Sequence, residues 1–162
     1  LRITCVATAG DGQRAAYATA DGTVCIWELG KATPRYFSCD PRAAVRSLVF
    51  SPDNRFLLIA GDVQPLTLLD TATAKSVSTF DKLNPAAIRS LAFTPDGKRA
   101  VSGGSDGAVR VWDVARGQQI ECFKSGDQAV NSVAVSPDGR RAVSAGDDQK
   151  LHLWALPRPV AR

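Results

Sequence analysis

The sequence predicts an all-β chain made of four consecutive copies of one four-stranded antiparallel unit, the last copy lacking its outer strand. Three observations lead there. Residues 102–113 read SGGSDGAVRVWD, and the string returns as SAGDDQKLHLWA at 144–155, as YATADGTVCIWE at 17–28 and, worn, as IAGDVQPLTLLD at 59–70. Trp27, Leu69, Trp112 and Trp154 therefore share one slot, at steps of 42, 43 and 42 residues. Upstream in each copy a turn (GDG, SPDN, TPDG, SPDG) sets Asp11, Asp53, Asp96 and Asp138 at the same steps. Two unrelated signals repeating in register mean that one structural unit was duplicated. Between them lie short runs of alternating polarity bounded by turn residues, the signature of antiparallel strands.

The first unit opens on a strand, Ile3–Thr8, which alternates Ile3, Cys5 and Ala7 against Thr4, Val6 and Thr8. Its turn leads to a second strand at 14–20. Asp21-Gly22 is a strong hairpin signal before a third at 23–29, and Tyr36 and Phe37 suit a fourth at 34–39. The second unit repeats the order at 45–50, 56–61, 66–69 and 75–80. It carries Asn54 where the others have Gly12, Gly97 and Gly139. That turn position calls for a left-handed backbone, which asparagine tolerates best among residues with a side chain. The third unit runs 88–93, 99–103, 108–114 and 118–124, and the fourth 130–135, 141–145 and 151–156. Pro157 and Pro159 then remove ladder donors, so no fourth outer strand is expected from this segment.

A period just over forty residues ending in Trp-Asp points to propeller blades. The chain resembles the WD-repeat family of β-propellers from Ile3 to about Leu156, most specifically in TPDGKRAVSGGSDGAVRVWD of the third copy. The resemblance implies blades at about 3–40, 45–81, 88–125 and 130–156, with 157–162 as a tail. It also implies a hydrogen-bonded relay inside a blade. Asp21, Asp106 and Asp148 are the acidic members, Ser102 and Ser144 the hydroxyls, and Trp27, Trp112 and Trp154 the indoles. No histidine stands where the relay wants one, and His152 reads as a strand surface residue. The second unit has Val63 and Leu69 in place of aspartate and tryptophan. A half-satisfied buried relay is worse than none, so losing both predicts an apolar interior there.

In closed rings of this family the last blade's outer strand comes from the N-terminal end of the chain. Leu1 and Arg2 are too short for that, and the sequence holds no methionine. The expectation is a C-terminal part of a larger propeller; the rival is two copies closing an eight-blade ring. The SPDGRR style of the last turn resembles bacterial arrays, which are often appended to signalling enzymes such as protein kinases. A regulatory segment of such an enzyme is the alternative to a protein-interaction scaffold.

No catalytic constellation is legible: with one histidine and aspartates that recur at turn slots, neither a nucleophile pair nor an acid–base pair stands out. The chain reads as a non-enzyme, with no cofactor or metal expected. Cys5, Cys25, Cys39 and Cys122 lie far apart without a CxxC pair and read as small buried hydrophobes of a reduced cytoplasm. No apolar run reaches the roughly 18 residues of a membrane span, and no leader is legible. The net charge of +4 is scattered, which makes nucleic acid a weak expectation.

Binding is the better-supported class, since function sits in loops grafted on a fold. In WD-repeat propellers the loops between blades lie on the top face. The resemblance therefore points to Thr4, Arg46, Arg89 and Asn131, each seven positions before its turn aspartate, joined by Asp40, Arg42, Asp127 and Gln128. Arg46 and Arg89 offer forked donors to a carboxylate or phosphate, so the expected partner is a protein or peptide, acidic or phosphorylated.

Overall fold

A computed structural model describes residues 2–39, 44–63, 65–80 and 86–158. Its strands follow the sequence units in order. The first sheet is β1 (Ile3–Thr8), β2 (Arg14–Thr19), β3 (Thr23–Glu28) and β4 (Arg35–Ser38). The second is β5 (Val45–Phe50), β6 (Phe56–Gly61), β7 (Thr67–Asp70) and β8 (Ser76–Thr79). The third is β9 (Ile88–Phe93), β10 (Arg99–Gly104), β11 (Ala108–Asp113) and β12 (Gln118–Lys124). The fourth holds β13 (Val130–Val135), β14 (Arg141–Gly146) and β15 (Leu151–Ala155). Within each sheet every strand pairs antiparallel with its chain neighbour, giving three four-stranded meanders and, among the described residues, a last sheet of three.

The first strands β1, β5, β9 and β13 neighbour one another in chain order, so each sheet stacks on the next as blades stack in a propeller. Alternation along the strands gives every blade a front face toward the preceding blade and a rear face toward the following one. Between blades one and two, Ala16, Ala18, Val24 and Ile26 meet Leu48, Leu57, Ile59 and Leu69. Leu58, Leu66, Leu68 and Phe80 then meet Leu91, Ala100 and Trp112. Val101, Val109 and Val111 meet Val133, Ala142 and Trp154. The core is thus three inter-blade layers, not one centre.

The turn slot has the backbone expected of it: Gly12, Asn54, Gly97 and Gly139 have φ of 66°, 59°, 67° and 67°. Each turn aspartate closes its own loop. Asp53 accepts from the Ser51 hydroxyl and the Arg55 amide, and Asp96 and Asp138 do the same with Thr94 and Lys98 and with Ser136 and Arg140.

The relay differs from expectation. Trp112 and Trp154 do donate from Nε1 to Ser102 and Ser144 Oγ, both at 2.9 Å. Asp106, however, receives Arg110 in a two-pronged pair at 3.1 and 2.6 Å. Asp148 meets His152 Nε2 at 2.6 Å, so His152 is a structural partner stacked on Trp154 rather than a solvent-facing residue. The physical reason is position: strand residue 110 or 152 lies four places beyond its hairpin aspartate and reaches it before any group of the next loop does. In the first blade Tyr17 occupies the serine slot. Asp21 there accepts from Thr19 and Thr23, and Trp27 donates to the Lys31 carbonyl at 3.3 Å. The second blade has the apolar interior that Val63 and Leu69 predict, with Leu57, Ile59 and Leu69 fully buried.

The cysteine expectation needs one correction. All four are free thiols; Cys25 and Cys39 are buried and Cys5 half-buried, but Cys122 is exposed on outer strand β12. Burial pushes the Cys39 thiol up to about 11, which makes it a poor nucleophile. Among the described residues no helix is long and apolar enough to cross a membrane.

Candidate functional site

The residues in the Thr4 slot have a feature that spacing alone does not reveal. In the first blade Ile3 pairs with Thr19 and Cys5 with Ala18, so Thr4 is skipped by the ladder. Arg46 is skipped between Val45 and Ser47, Arg89 between Ile88 and Ser90, and Asn131 between Val130 and Ser132. Each is the extra residue of a β-bulge, one per blade, at the end of the sheet where one blade hands over to the next. A bulge re-aims its unpaired side chain out of the ladder. The backbone locks the distortion in place: amides of Ala20, Asp62, Ser105 and Asp147 donate to the carbonyls of Arg2, Ala44, Ala87 and Ala129. Gly61 and Gly146 face this approach, where a Cβ would lie 2.0 and 2.1 Å from the Ala44 and Ala129 oxygens.

The side chains form two polar clusters. Arg46 forks onto Asp62, with Nε and Nη2 at 2.9 and 2.7 Å from the two carboxylate oxygens. Donating to Asp62 pushes the Arg46 guanidinium still further up, so it is a fixed cation. In the third blade the corresponding position is Ser105. Arg89 instead reaches forward to the fourth blade, donating to Asn131 Oδ1 at 2.5 Å and lying 3.5 Å from Asp147. Asn131 in turn donates to Asp147 at 2.5 Å, which makes a three-residue bridge across the junction. Thr4 donates to the Ala18 carbonyl. Asp127 is exposed; Arg42, like Asp40, lies outside the described residues. Asp62 and Asp147 were not among the sequence-derived candidates. The repeat itself carried the signal, because both stand one residue after the second strand, where the other blades have Ala20 and Ser105.

A groove of about 1110 Å³ opens at the other end of the sheets, between blades two and three, lined among others by Phe56, Phe93, Pro95, Lys98 and Arg116. Its walls hold three acids (Asp53, Asp96, Asp113) and three bases (Lys98, Arg99, Arg116), so it presents no net charge. Among the described residues no cluster of three or more His, Cys, Asp or Glu side chains is placed to hold a metal.

Comparison with known proteins bears on this arrangement. The pattern of the family described as WD domain, G-beta repeat matches residues 1–28, 74–113 and 117–155, which is more than half of the chain. The unmatched stretch contains Val63 and Leu69. The chain is also 33% identical over 75 residues to the small ribosomal subunit protein RACK1 of Schizosaccharomyces pombe, across 46% of this chain and 23% of that protein. It therefore spans less than a quarter of the length of this relative. These likenesses support a general role as a protein-interaction scaffold.

Proposed function

Because this chain belongs to the WD40 repeat family, we propose that it binds an acidic or phosphorylated segment of a protein partner at the bulge residues of its top face. The observation that carries the reading is the bulge at every blade, which lifts Arg46 and Arg89 out of the ladder on adjacent blades with side chains 50% and 41% exposed. Asp62 and Asp147 already face these arginines, and an incoming anion has to displace them. That exchange is feasible, because an exposed pair is worth only about 0–1 kcal/mol. A phosphate offers more charge and three acceptor oxygens to the same forked donors. Asn131, with its amide beside Arg89, adds a donor for a peptide carbonyl. The groove at the far end is also balanced in charge, but neither of its arginines, Arg99 and Arg116, is a bulge residue lifted out of a ladder.

Binding of phosphorylated and unphosphorylated versions of one acidic peptide library, read by fluorescence anisotropy, tests the proposal. The Arg46→Ala/Arg89→Ala double variant should lose the phosphate-dependent binding while its thermal melting curve stays unchanged. Loss of folding with no specific binding defect, or binding equal to that of the parent chain, would overturn it.

A further inference from the structure

The slot three residues after the turn aspartate holds Arg14 in the first blade, Phe56 in the second and Arg99 in the third. Where it holds arginine, the side chain crosses to the turn of the next blade. Arg14 donates from Nη1 to the Asn54 carbonyl, and Arg99 from Nη2 to the Gly139 carbonyl, both at 2.9 Å. Asn54 and Gly139 are the same turn position in their blades. At the junction of blades two and three the slot is Phe56, whose ring has no donor. The equivalent carbonyl there is that of Gly97, and among the described residues no donor is placed on it.

The turns at this junction are nevertheless set as they are one junction on. A Cβ built on Gly97 would lie 3.5 Å from Pro52 Cδ, and one built on Gly139 would lie 3.3 Å from Pro95 Cδ and 3.5 Å from Arg99 Nη2. Turn sits on turn in the same way, and only the guanidinium is missing. The groove of about 1110 Å³ opens at this junction, with Phe56 and Gly97 both in its lining. Blades two and three each have a neighbour on their other face, so the groove is formed wholly inside the array.

Its walls suit the missing group. Val77 and Ile120 are the extra residues of bulges in the outer strands β8 and β12, and both line the groove. With Phe56, Phe93 and Pro95 they offer apolar surface to the aliphatic stem of a long side chain. The lining charges balance by count, but the Arg99 guanidinium is committed to the Gly139 and Pro157 carbonyls on the blade-four side. Asp53, Asp96 and Asp113 then outnumber Lys98 and Arg116. Arg55, exposed beside Phe56, covers a face of that ring at 5.4 Å from its centroid and is not part of the groove lining.

We infer that this groove takes an arginine side chain of a protein partner. Its guanidinium occupies the place that Arg14 and Arg99 fill at the other two junctions and donates to the Gly97 carbonyl, with the stem against Phe56 and Phe93. The chain's own arginines are the pattern for the ligand. A guanidinium suits the place better than an ammonium, because its planar fork is more weakly hydrated and presents its donors in a fixed geometry. Residues flanking the arginine lie against Val77 and Ile120. The groove is at the opposite end of the sheets from Arg46 and Arg89, so the inference is independent of what the top face binds.

Titration of the isotope-labelled chain with the capped peptide acetyl-Val-Arg-Val-amide, followed by amide chemical shifts, tests the inference. Saturable shifts should centre on Gly97 and Lys98, whose peptide bond holds the acceptor carbonyl. The same peptide with citrulline keeps the shape without the charge and should bind about tenfold more weakly. Phe56→Arg supplies the internal clamp and should abolish binding. Val77→Lys, at a position 55% exposed, should weaken it about two- to fivefold by repulsion, and it decides the matter if Phe56→Arg fails to fold by circular dichroism. Arg46→Ala/Arg89→Ala should bind the peptide as the parent chain does. Shifts that do not saturate or that centre away from Gly97 would overturn the inference. So would equal binding of the arginine and citrulline peptides, loss of binding in the Arg46→Ala/Arg89→Ala variant, or undiminished binding by a folded Phe56→Arg or Val77→Lys chain.

Discussion

Blades two and three adopt the same meander with the same turn, yet they fill their interiors by opposite chemistry. In the third, the Trp112 indole is 1% exposed, donates to Ser102, and meets the edge of Phe80 from the preceding blade at a centroid distance of 6.1 Å. In the second, Leu69 holds the indole slot and Ile59 the serine slot. Phe37 of the preceding blade packs against that layer, in the place Phe80 holds one blade on. A polar pair needs both members, since a lone buried donor or hydroxyl costs about 1–3 kcal/mol. Where the slot is buried the two therefore change together; in the first blade, where Tyr17 replaces the serine, the Trp27 indole is half-exposed and donates to the Lys31 carbonyl instead. The hairpin aspartate follows the same logic: Asp106 has Arg110 as its counter-ion, whereas in blade two Val63 is an exposed apolar residue that asks for none.

The sharpest way to break the comparison is truncation at the shared slot. Leu69→Ala removes only packing, at a cost of about 2–5 kcal/mol, and Trp112→Ala about 3–5 kcal/mol. The tryptophan variant should be the worse of the two by urea midpoint, because it also strands the Ser102 hydroxyl and empties the edge contact with Phe80. Equal midpoints would mean that the indole–serine bond contributes nothing beyond volume.

A smaller effect separates the blades by pH. Hydrogen bonding from Arg110 holds the Asp106 carboxyl below the usual carboxylate range. The stabilisation is therefore present above the ordinary value of about 3.9 and is lost as pH falls through the lowered folded-state value. Asp106→Asn should be less stable than the parent at neutral pH, and the gap should narrow below about pH 4. A gap independent of pH would remove the ion pair from the account. Blade two, with Val63 in this slot, has no matching contribution.

Most of the fold was legible because it is local. Strand alternation, the Ser-Pro-Asp turns and the hairpin signals placed the strands within about a residue of where they lie, and Asn54 marked its left-handed backbone in advance. The site was legible only as a slot. That Thr4, Arg46, Arg89 and Asn131 are bulge residues depends on the pairing register of two strands, and no single strand's pattern carries it. Arg14 and Arg99 read as ordinary strand starts, yet they clamp the next blade from 40 residues away. Arg89, Asn131 and Asp147 come together from two blades for the same reason: their contacts form between repeats, and the periodicity of one repeat is silent about them. His152 was missed because it was weighed as a lone histidine, when its slot mate Arg110 already faced a hairpin aspartate.

Hydrogen exchange of the indole N–H groups tests the account of the blade interiors in one spectrum. Trp27, 49% exposed and bonded only to the Lys31 carbonyl, should exchange first. Trp112, sealed between Ser102 and Phe80, should exchange last, at a rate set by global unfolding. Exchange of Trp112 as fast as Trp27 would contradict it, because the blade would then open without the protein unfolding.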